Sequence, residues 1–119
     1  MKIAVTAEKG TPESPVDSRF GRAKYFIVHD TETGAWTVID NIQNLQSAQG
    51  AGIQSASAVV NAGCETVLTG HCGPKAFAAL GKAGVTVYLV AGGTVREAID
   101  SMKKGELHKI DSADVEEHW

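Results

Sequence analysis

The sequence predicts an α/β domain built on a mixed five-stranded sheet with helices on its faces. Three observations support this fold class. An alternating segment and two β-branched runs fill the first third of the chain, segments of helical spacing then alternate with further apolar runs, and glycines close the helical segments. The predicted order β-β-β-α-β-α-β-α implies antiparallel and parallel neighbours in one sheet.

The first third of the chain contains three predicted strands. Lys2–Thr6 alternates apolar and polar residues, and Tyr25–Asp30 and Ala35–Asp40 are rich in aromatic and β-branched residues. Thr33-Gly34 between the last two runs is typical of a β-hairpin turn. A long loop therefore separates the first strand from a hairpin.

Three helices are predicted at residues 53–62, 74–83 and 94–104. The first has apolar residues at helical spacing from Ile53 onward. Pro74 is favourable at the first position of the second helix. Thr94 and Glu97 have the spacing of a capping box at the start of the third helix.

Two more strands lie between the helices, and a polar segment follows the last helix. Thr66–Thr69 and Val85–Val90 are short apolar runs, each placed after a helix, as in successive αβ crossovers. Glu106–Trp119 is polar and acidic, which predicts a loosely held tail. We therefore expect one domain over residues 1–105 and a C-terminal tail over residues 106–119.

Composition limits the classes of function. The 119 residues are 43% hydrophobic with a formal net charge of −3, which suits one ordinary core. The acidic balance argues against a nucleic-acid partner, because nucleic-acid binding usually needs a basic face. The apolar run at Met1–Thr6 is short, so we expect neither a signal peptide nor a membrane anchor, and we expect a cytoplasmic location.

The predicted topology brings four loops together. If the first, fourth and fifth strands are parallel, their carboxyl ends share one edge of the sheet with the end of the third strand. The loops at this edge, called here the first to fourth loops, are residues 7–24, 41–52, 70–73 and 91–93. Ligands of open α/β sheets characteristically bind at such an edge.

These loops carry a concentration of cations and glycines. The candidate side chains are Arg19, Arg22, Lys24, His71, Cys72 and Lys75. Helix N-termini attract anions through their unpaired N–H groups and the helix dipole. Glycines at positions 50, 52, 70 and 73 would let backbone amides approach a ligand. The sequence thus predicts a cationic, glycine-lined site for an anion.

His71 and Cys72 raise the possibility of metal binding. Imidazole and thiolate groups suit soft metals and sulfide-rich centres. Gly73-Pro74 is equally well explained as an ordinary helix start. Cys72 is also a candidate nucleophile, activated by His71 and a helix N-terminus, although no orienting acid is evident in the sequence.

Several other sites are disfavoured. Cys64 begins the fourth strand and should lie roughly 20 Å from Cys72 at ~3.3 Å per strand residue, so the two cannot chelate one metal within a chain. Cys64 is interpreted as a small buried hydrophobe. The chain has no G-x-x-x-x-G-K-[ST] or G-x-G-x-x-G nucleotide motif and no C-x-x-C zinc spacing. The first strand also lacks the clustered carboxylates that a two-metal nuclease needs.

Three motifs resemble those of a known family. Phe20-Gly21-Arg22-Ala23, Gly50-Ala51-Gly52-Ile53-Gln54 and Thr69-Gly70-His71-Cys72-Gly73-Pro74-Lys75-Ala76-Phe77 occur in this order. They resemble the small single-domain members of the dinitrogenase iron-molybdenum cofactor biosynthesis family, which includes NifX and NifY type proteins and the orange proteins. The resemblance extends from Met1 to about Lys104.

The resemblance implies a ribonuclease H-like, three-layer fold without nuclease activity, in proteins that bind, carry or help to build anionic metal-sulfur clusters. The implied cluster contains molybdenum with iron or copper, and the implied partners include proteins that donate or accept it. By position, the binding residues would be Phe20, Gly21 and Arg22 in the first loop, Gly50 and Gly52 in the second, and His71, Cys72, Gly73 and Pro74 in the third.

One residue departs from the family pattern and changes the expected mode of cluster binding. Many relatives have a histidine immediately before Phe-Gly, whereas this chain has Arg19. An arginine favours electrostatic capture of a preformed anion over a coordinate bond. The leading hypothesis is therefore a non-enzymatic cluster binder. The alternatives are an adaptor of the same fold that has lost its cofactor, and a small enzyme that uses Cys72.

Overall fold

A mixed sheet of six strands forms the centre of the computed structural model, which describes residues 1–46 and 50–116. The strands are β1 (Lys2–Ala7), β2 (Tyr25–Asp30), β3 (Trp36–Asp40), β4 (Thr66–Thr69), β5 (Thr86–Leu89) and β6 (His108–Lys109), and the helices are α1 (Ala51–Asn61), α2 (Pro74–Lys82) and α3 (Val95–Lys103). Short 3-10 helices occur at Phe20–Arg22 and Ile42–Gln46.

The strand order places the predicted loops at one edge. The order is β3-β2-β1-β4-β5-β6, with β1, β4 and β5 parallel and β2 antiparallel to both of its neighbours. In the register, Tyr25 is opposite both Ala7 and Asp40, so β1 and β3 end at the same level. The carboxyl ends of β1, β3, β4 and β5 therefore meet, as the topology predicted.

Helices cover both faces of the sheet. Alternation along β1 directs Ala4 to a core cluster shared with α1 and α2, and directs Ile3 and Val5 to a second cluster shared with α3. The first cluster contains residues such as Val59 and Leu80. The result is three layers, with α1 and α2 on one face and α3 on the other.

The structure has one strand more than the five that were predicted. His108 and Lys109 pair antiparallel with Leu89 and Tyr88, and the Ile110 amide donates to the Val87 carbonyl at 3.0 Å. Ile110 also packs against the first core cluster. The prediction of a loosely held tail is therefore wrong for this segment. Two exposed polar residues give no periodicity from which a strand could be predicted.

The helix ends agree with the sequence signals, except at the start of α1. Thr94 and Glu97 form both hydrogen bonds of the capping box. Gly63 follows α1 with a φ of 81°, a conformation that suits glycine. However, α1 begins at Ala51, before Ile53, and the Ile53 side chain is 44% exposed. The buried face uses small residues, so the apolar pattern misplaced the helix start.

Candidate functional site

The first and third loops are joined directly at the carboxyl edge. Arg19 and His71 form a parallel β-bridge, and the Phe20 amide donates to the His71 carbonyl at 3.1 Å. The Asp17 amide donates to the Thr6 carbonyl at 2.9 Å, which ties the first loop to the end of β1. Since β1 and β4 are adjacent, while the next strands β2 and β5 lie on opposite sides of this pair, the bridge lies where the strand order reverses.

Three predicted site glycines lie where segments of the chain come close to one another. A methyl group at Gly70 would lie 2.8 Å from the Ser18 Cα, and one at Gly21 would lie 3.1 Å from the Gly52 Cα. A methyl group at Gly52 would meet the Ala76 Cβ at 3.3 Å. The contact at Gly70 leaves no room for a β-carbon and the other two leave little, so the glycines of the motifs are explained by packing as well as by ligand approach.

The second loop is held to the first by an asparagine that the sequence analysis did not single out. The Asn41 side-chain amide donates to the Ala23 carbonyl at 2.8 Å and to the Ser55 hydroxyl at 3.0 Å, and the residue is fully buried. Arg22 Nη1 lies 3.4 Å from the Leu45 carbonyl. Residues 47–49 of the second loop lie outside the described residues. A polar loop composition gave no reason to select Asn41 over its neighbours.

The fourth loop also joins the first. The Val16 amide donates to the Gly93 carbonyl at 2.9 Å, and Pro15 pairs with Thr94 in an antiparallel bridge. A depression of about 330 Å³ opens between the first, third and fourth loops. Its lining residues are Val16, Ser18, Gly70, His71, Leu89, Val90, Ala91 and Gly92. The described parts of the four loops therefore meet at this edge, as predicted.

The predicted cations are distributed over this edge, and not all of them face one depression. Arg19 and Arg22 are half-buried, and Lys75 is exposed in the first turn of α2. Lys24 lines a separate depression of about 470 Å³, together with Glu8, Lys9, Gly10, Tyr25, Ile42 and Leu45. The structure thus brings Arg19 and His71 together but places Lys24 in a neighbouring hollow.

Phe20 and Pro74 occupy structural positions within the predicted site. Phe20 is 1% exposed, and its ring centroid is 5.3 Å from that of Phe26. Pro74 is the first residue of α2, where its missing N–H costs no hydrogen bond. Gly50 and Gly73 are the N-cap residues of α1 and α2. These two helices therefore direct their N-terminal amides toward the carboxyl edge.

The Cys72 thiol lies in the protein core. The residue is fully buried within the first core cluster, and the Sγ atom is 3.8 Å from the Gly73 carbonyl oxygen. Burial, together with the nearby Asp114 carboxylate, raises the pKa of Cys72 to about 12. The thiol is consequently protonated at neutral pH and is not a thiolate available to a nucleophilic reaction.

Cys64 is also buried, as the sequence predicted. It is 5% exposed, and burial raises the pKa of its thiol to about 11. Both cysteines belong to the same core cluster. Cys64 therefore packs as a small hydrophobe.

Asp114 is a site residue that the sequence analysis missed. Its Oδ1 accepts a hydrogen bond from the Cys72 amide at 2.7 Å, and its Oδ2 lies 2.7 Å from His71 Nδ1. The Asp114 amide in turn donates to the Cys72 carbonyl at 3.2 Å. The C-terminal segment thus folds over the third loop. Asp114 is one of several acidic residues near the C-terminus, and nothing in the neighbouring sequence indicates this contact.

Comparison with known proteins identifies the family. Residues 1–105 match the family model described as dinitrogenase iron-molybdenum cofactor. The chain belongs to this family. The apo form of the orange protein from Desulfovibrio gigas is 38% identical with a TM-score of 0.93, over 96% of each chain. A putative NifB protein from Thermotoga is 36% identical with a TM-score of 0.85, over 96% of this chain and 97% of that one.

The chain is also similar to two more distant proteins. An uncharacterized protein from Methanocaldococcus jannaschii is 27% identical over 113 residues, which cover 93% of this chain and 92% of the relative. A putative dinitrogenase from the same organism shares the fold with a TM-score of 0.70 at 18% identity. In the described residues of this family member, no helix is long and apolar enough to span a membrane.

The side chains of the site fit an anion better than a bare metal ion. In residues 1–46 and 50–116, no three His, Cys, Asp or Glu side chains are grouped so as to hold a metal ion. The edge instead combines arginine and lysine side chains with the N-termini of α1 and α2. Such donors suit an anionic cluster whose metals are already coordinated by sulfide.

Proposed function

We propose that this protein is a non-enzymatic binder and carrier of an anionic metal-sulfur cluster that contains molybdenum with iron or copper. The observation that supports this most directly is the Arg19–His71 bridge, which joins the first and third loops at the carboxyl edge of the sheet. This is the position at which open α/β sheets bind ligands. Membership of the dinitrogenase iron-molybdenum cofactor family supports the class of ligand.

The proposed binding mode relies mainly on charge and hydrogen bonds. Arg19, Arg22 and Lys75 attract the anion, with Lys24 contributing from the neighbouring depression. The amides at the N-termini of α1 and α2 donate to the sulfides of the cluster. His71 is the side chain proposed to contact an exposed metal, because its ring is 41% exposed.

Cys72 has a smaller part in this proposal than the motif suggested. A fully buried thiol with a pKa of about 12 does not offer a sulfur ligand unless the third loop rearranges. The same burial argues against the alternative of a Cys72-dependent enzyme.

The strand order, with β1 central and β4 and β5 parallel to it, supports the finer assignment of a ribonuclease H-like fold.

Anaerobic titration with tetrathiomolybdate, with and without copper(I), tests the proposal. We expect a charge-transfer absorption band and perturbed amide signals in the four loops. Arg22→Ala should weaken binding roughly threefold to fivefold, on the scale of at most ~1 kcal/mol for a partly exposed charge. Lys82→Ala is the matched control, because Lys82 is an exposed cation in the last turn of α2, at the opposite edge. Absence of both spectral changes would contradict the proposal.

An adaptor that acts through protein contacts is the second candidate. Ile42, within the second loop, is 41% exposed, and Ile53, just after this loop, is 44% exposed. Exposed apolar side chains in such a position suit a protein partner. A cluster-free preparation that binds a purified cluster-assembly protein equally well with and without Arg22→Ala would favour the adaptor.

A further inference from the structure

We propose that residues 111–116 form a strap whose Asp114 carboxylate occupies the anion position of the third loop, and that cluster binding displaces it. This inference rests on the proposed function, since it concerns the regulation of the same site. The carboxylate acts as a tethered anion that competes with the incoming cluster.

The contacts of Asp114 are those that an external anion would make. Its two oxygens engage the Cys72 amide and His71 Nδ1, both at 2.7 Å. Cys72 lies just before Gly73, the N-cap residue of α2, so the carboxylate also lies near the positive end of this helix. The Asp114 side chain is only 19% exposed. Hydrogen bonds of this length to a carboxylate are among the stronger ones in proteins.

The strap can leave without disrupting the sheet. Ile110, immediately before it, is fixed by its hydrogen bond to the Val87 carbonyl and by packing against the core. Asp111 and Ser112, which connect Ile110 to the rest of the strap, are exposed and are not packed in the core. The Asp114 contacts with the third loop can therefore open as a local event, while β6 remains paired.

Opening also frees two groups of the third loop for contact with the cluster. While Asp114 is bound, its carboxylate engages both the Cys72 amide and His71 Nδ1, so the amide cannot donate to a sulfide. The apparent dissociation constant is the intrinsic constant divided by the fraction of molecules with an open strap. A tethered carboxylate has a high effective concentration, which keeps this fraction small.

A purely structural role for Asp114 predicts the opposite effect on cluster binding. If Asp114 only holds the third loop in its binding conformation, its removal should disorder the loop and weaken cluster binding. If Asp114 competes with the cluster, its removal should strengthen binding. The two roles therefore predict opposite changes in the dissociation constant.

The test compares tetrathiomolybdate binding, under anaerobic conditions, by the full-length wild type, Asp114→Ala, Asp114→Asn and Asp111→Ala. Asp114→Ala should lower the dissociation constant on the order of tenfold. Asp114→Asn keeps the shape of the side chain but loses its charge, and it should give a smaller decrease in the dissociation constant. It keeps the test valid if the alanine variant misfolds. Asp111→Ala removes the same charge from the same segment and should have little effect.

Hydrogen exchange of the wild type supplies an independent measurement. The Asp114 amide is bonded to the Cys72 carbonyl, so its exchange should accelerate when tetrathiomolybdate is added. Equal dissociation constants for the wild type and Asp114→Ala, or weaker binding by both Asp114 variants, overturn the strap and leave the proposed function standing. No binding by any variant overturns both.

Discussion

Gly70 and Ser18 are in such close contact that a β-carbon at position 70 would lie 2.8 Å from both the Cα and the carbonyl oxygen of Ser18. Backbone atoms cannot move away as readily as the end of a flexible side chain. The contact therefore fixes the distance between the first and third loops, next to the bridge between Arg19 and His71. Because glycine has no side chain, Gly70 of the family motif allows the two loops to come this close.

Gly70→Ala should destabilise the protein by about 1–3 kcal/mol, because the methyl group has to push the first loop away from the third. The free energy of unfolding is measured by urea denaturation followed by circular dichroism. The variant should also bind tetrathiomolybdate less tightly than the wild type, since the two loops separate.

Gly81→Ala is the matched control for this substitution. Gly81 lies within α2, and a β-carbon there meets no atom within 4 Å. Alanine is favoured over glycine inside a helix, so the control should gain about 0.5–1 kcal/mol. Equal stabilities for the two alanine variants would contradict the close contact at Gly70.

The buried thiol of Cys72 should make stability fall at alkaline pH. In the unfolded chain the thiol ionises near its ordinary pKa of 9.0, whereas in the folded protein burial and Asp114 raise the pKa to about 12. The folded state therefore binds more protons between these pH values, and its stability is lost as the pH rises from about 9 toward 12. Urea unfolding under reducing conditions at pH 8, 9 and 10 measures this loss.

Cys72→Ala should lose less stability over this pH range than the wild type. Cys64→Ala should show nearly the same improvement up to pH 10, because the folded-state pKa values of about 11 and about 12 both lie above this range. Any constant loss of packing in either variant shifts the whole curve and leaves its slope unchanged. Parallel curves for the wild type and Cys72→Ala would show that the thiol ionises equally in both states.

The architecture of the edge was predictable because it depends on local patterns and general topology. Apolar runs located β1, β4 and β5, and the capping box located α3. The preference for parallel crossovers then placed the loops at one edge. Hence the meeting of the first and third loops followed from the sequence before any contact was known.

The details of the site were less predictable because they depend on tertiary contacts. Asp114 is one of several acidic residues after Glu106, and only its position in space brings it to His71. Likewise, Gly70 and Gly52 could be explained from the sequence by ligand approach, whereas their backbone contacts appear only in the folded chain. The burial of Cys72 also depends on how the third loop packs, which a turn sequence does not reveal.

His29 should make the protein less stable as the pH falls below about 6.5. The residue is 5% exposed, and its ring centroid is 4.1 Å from that of Trp36. Burial, followed by the nearby positive charge of Lys103, lowers the pKa of His29 from its ordinary value of 6.5. The unfolded chain therefore takes up a proton near pH 6.5, whereas the folded protein takes it up only at lower pH, so acidification favours unfolding.

His29→Phe tests this pH dependence, because phenylalanine fills the space of the ring but cannot be protonated. Its unfolding free energy should decrease less than that of the wild type when urea denaturation is repeated at pH 7.5, 6.5 and 5.5. His108→Phe is the control for the same substitution at an exposed position, since His108 is exposed in β6. A His29→Phe curve parallel to that of the wild type would mean that His29 accepts a proton as readily in the fold as in the unfolded chain.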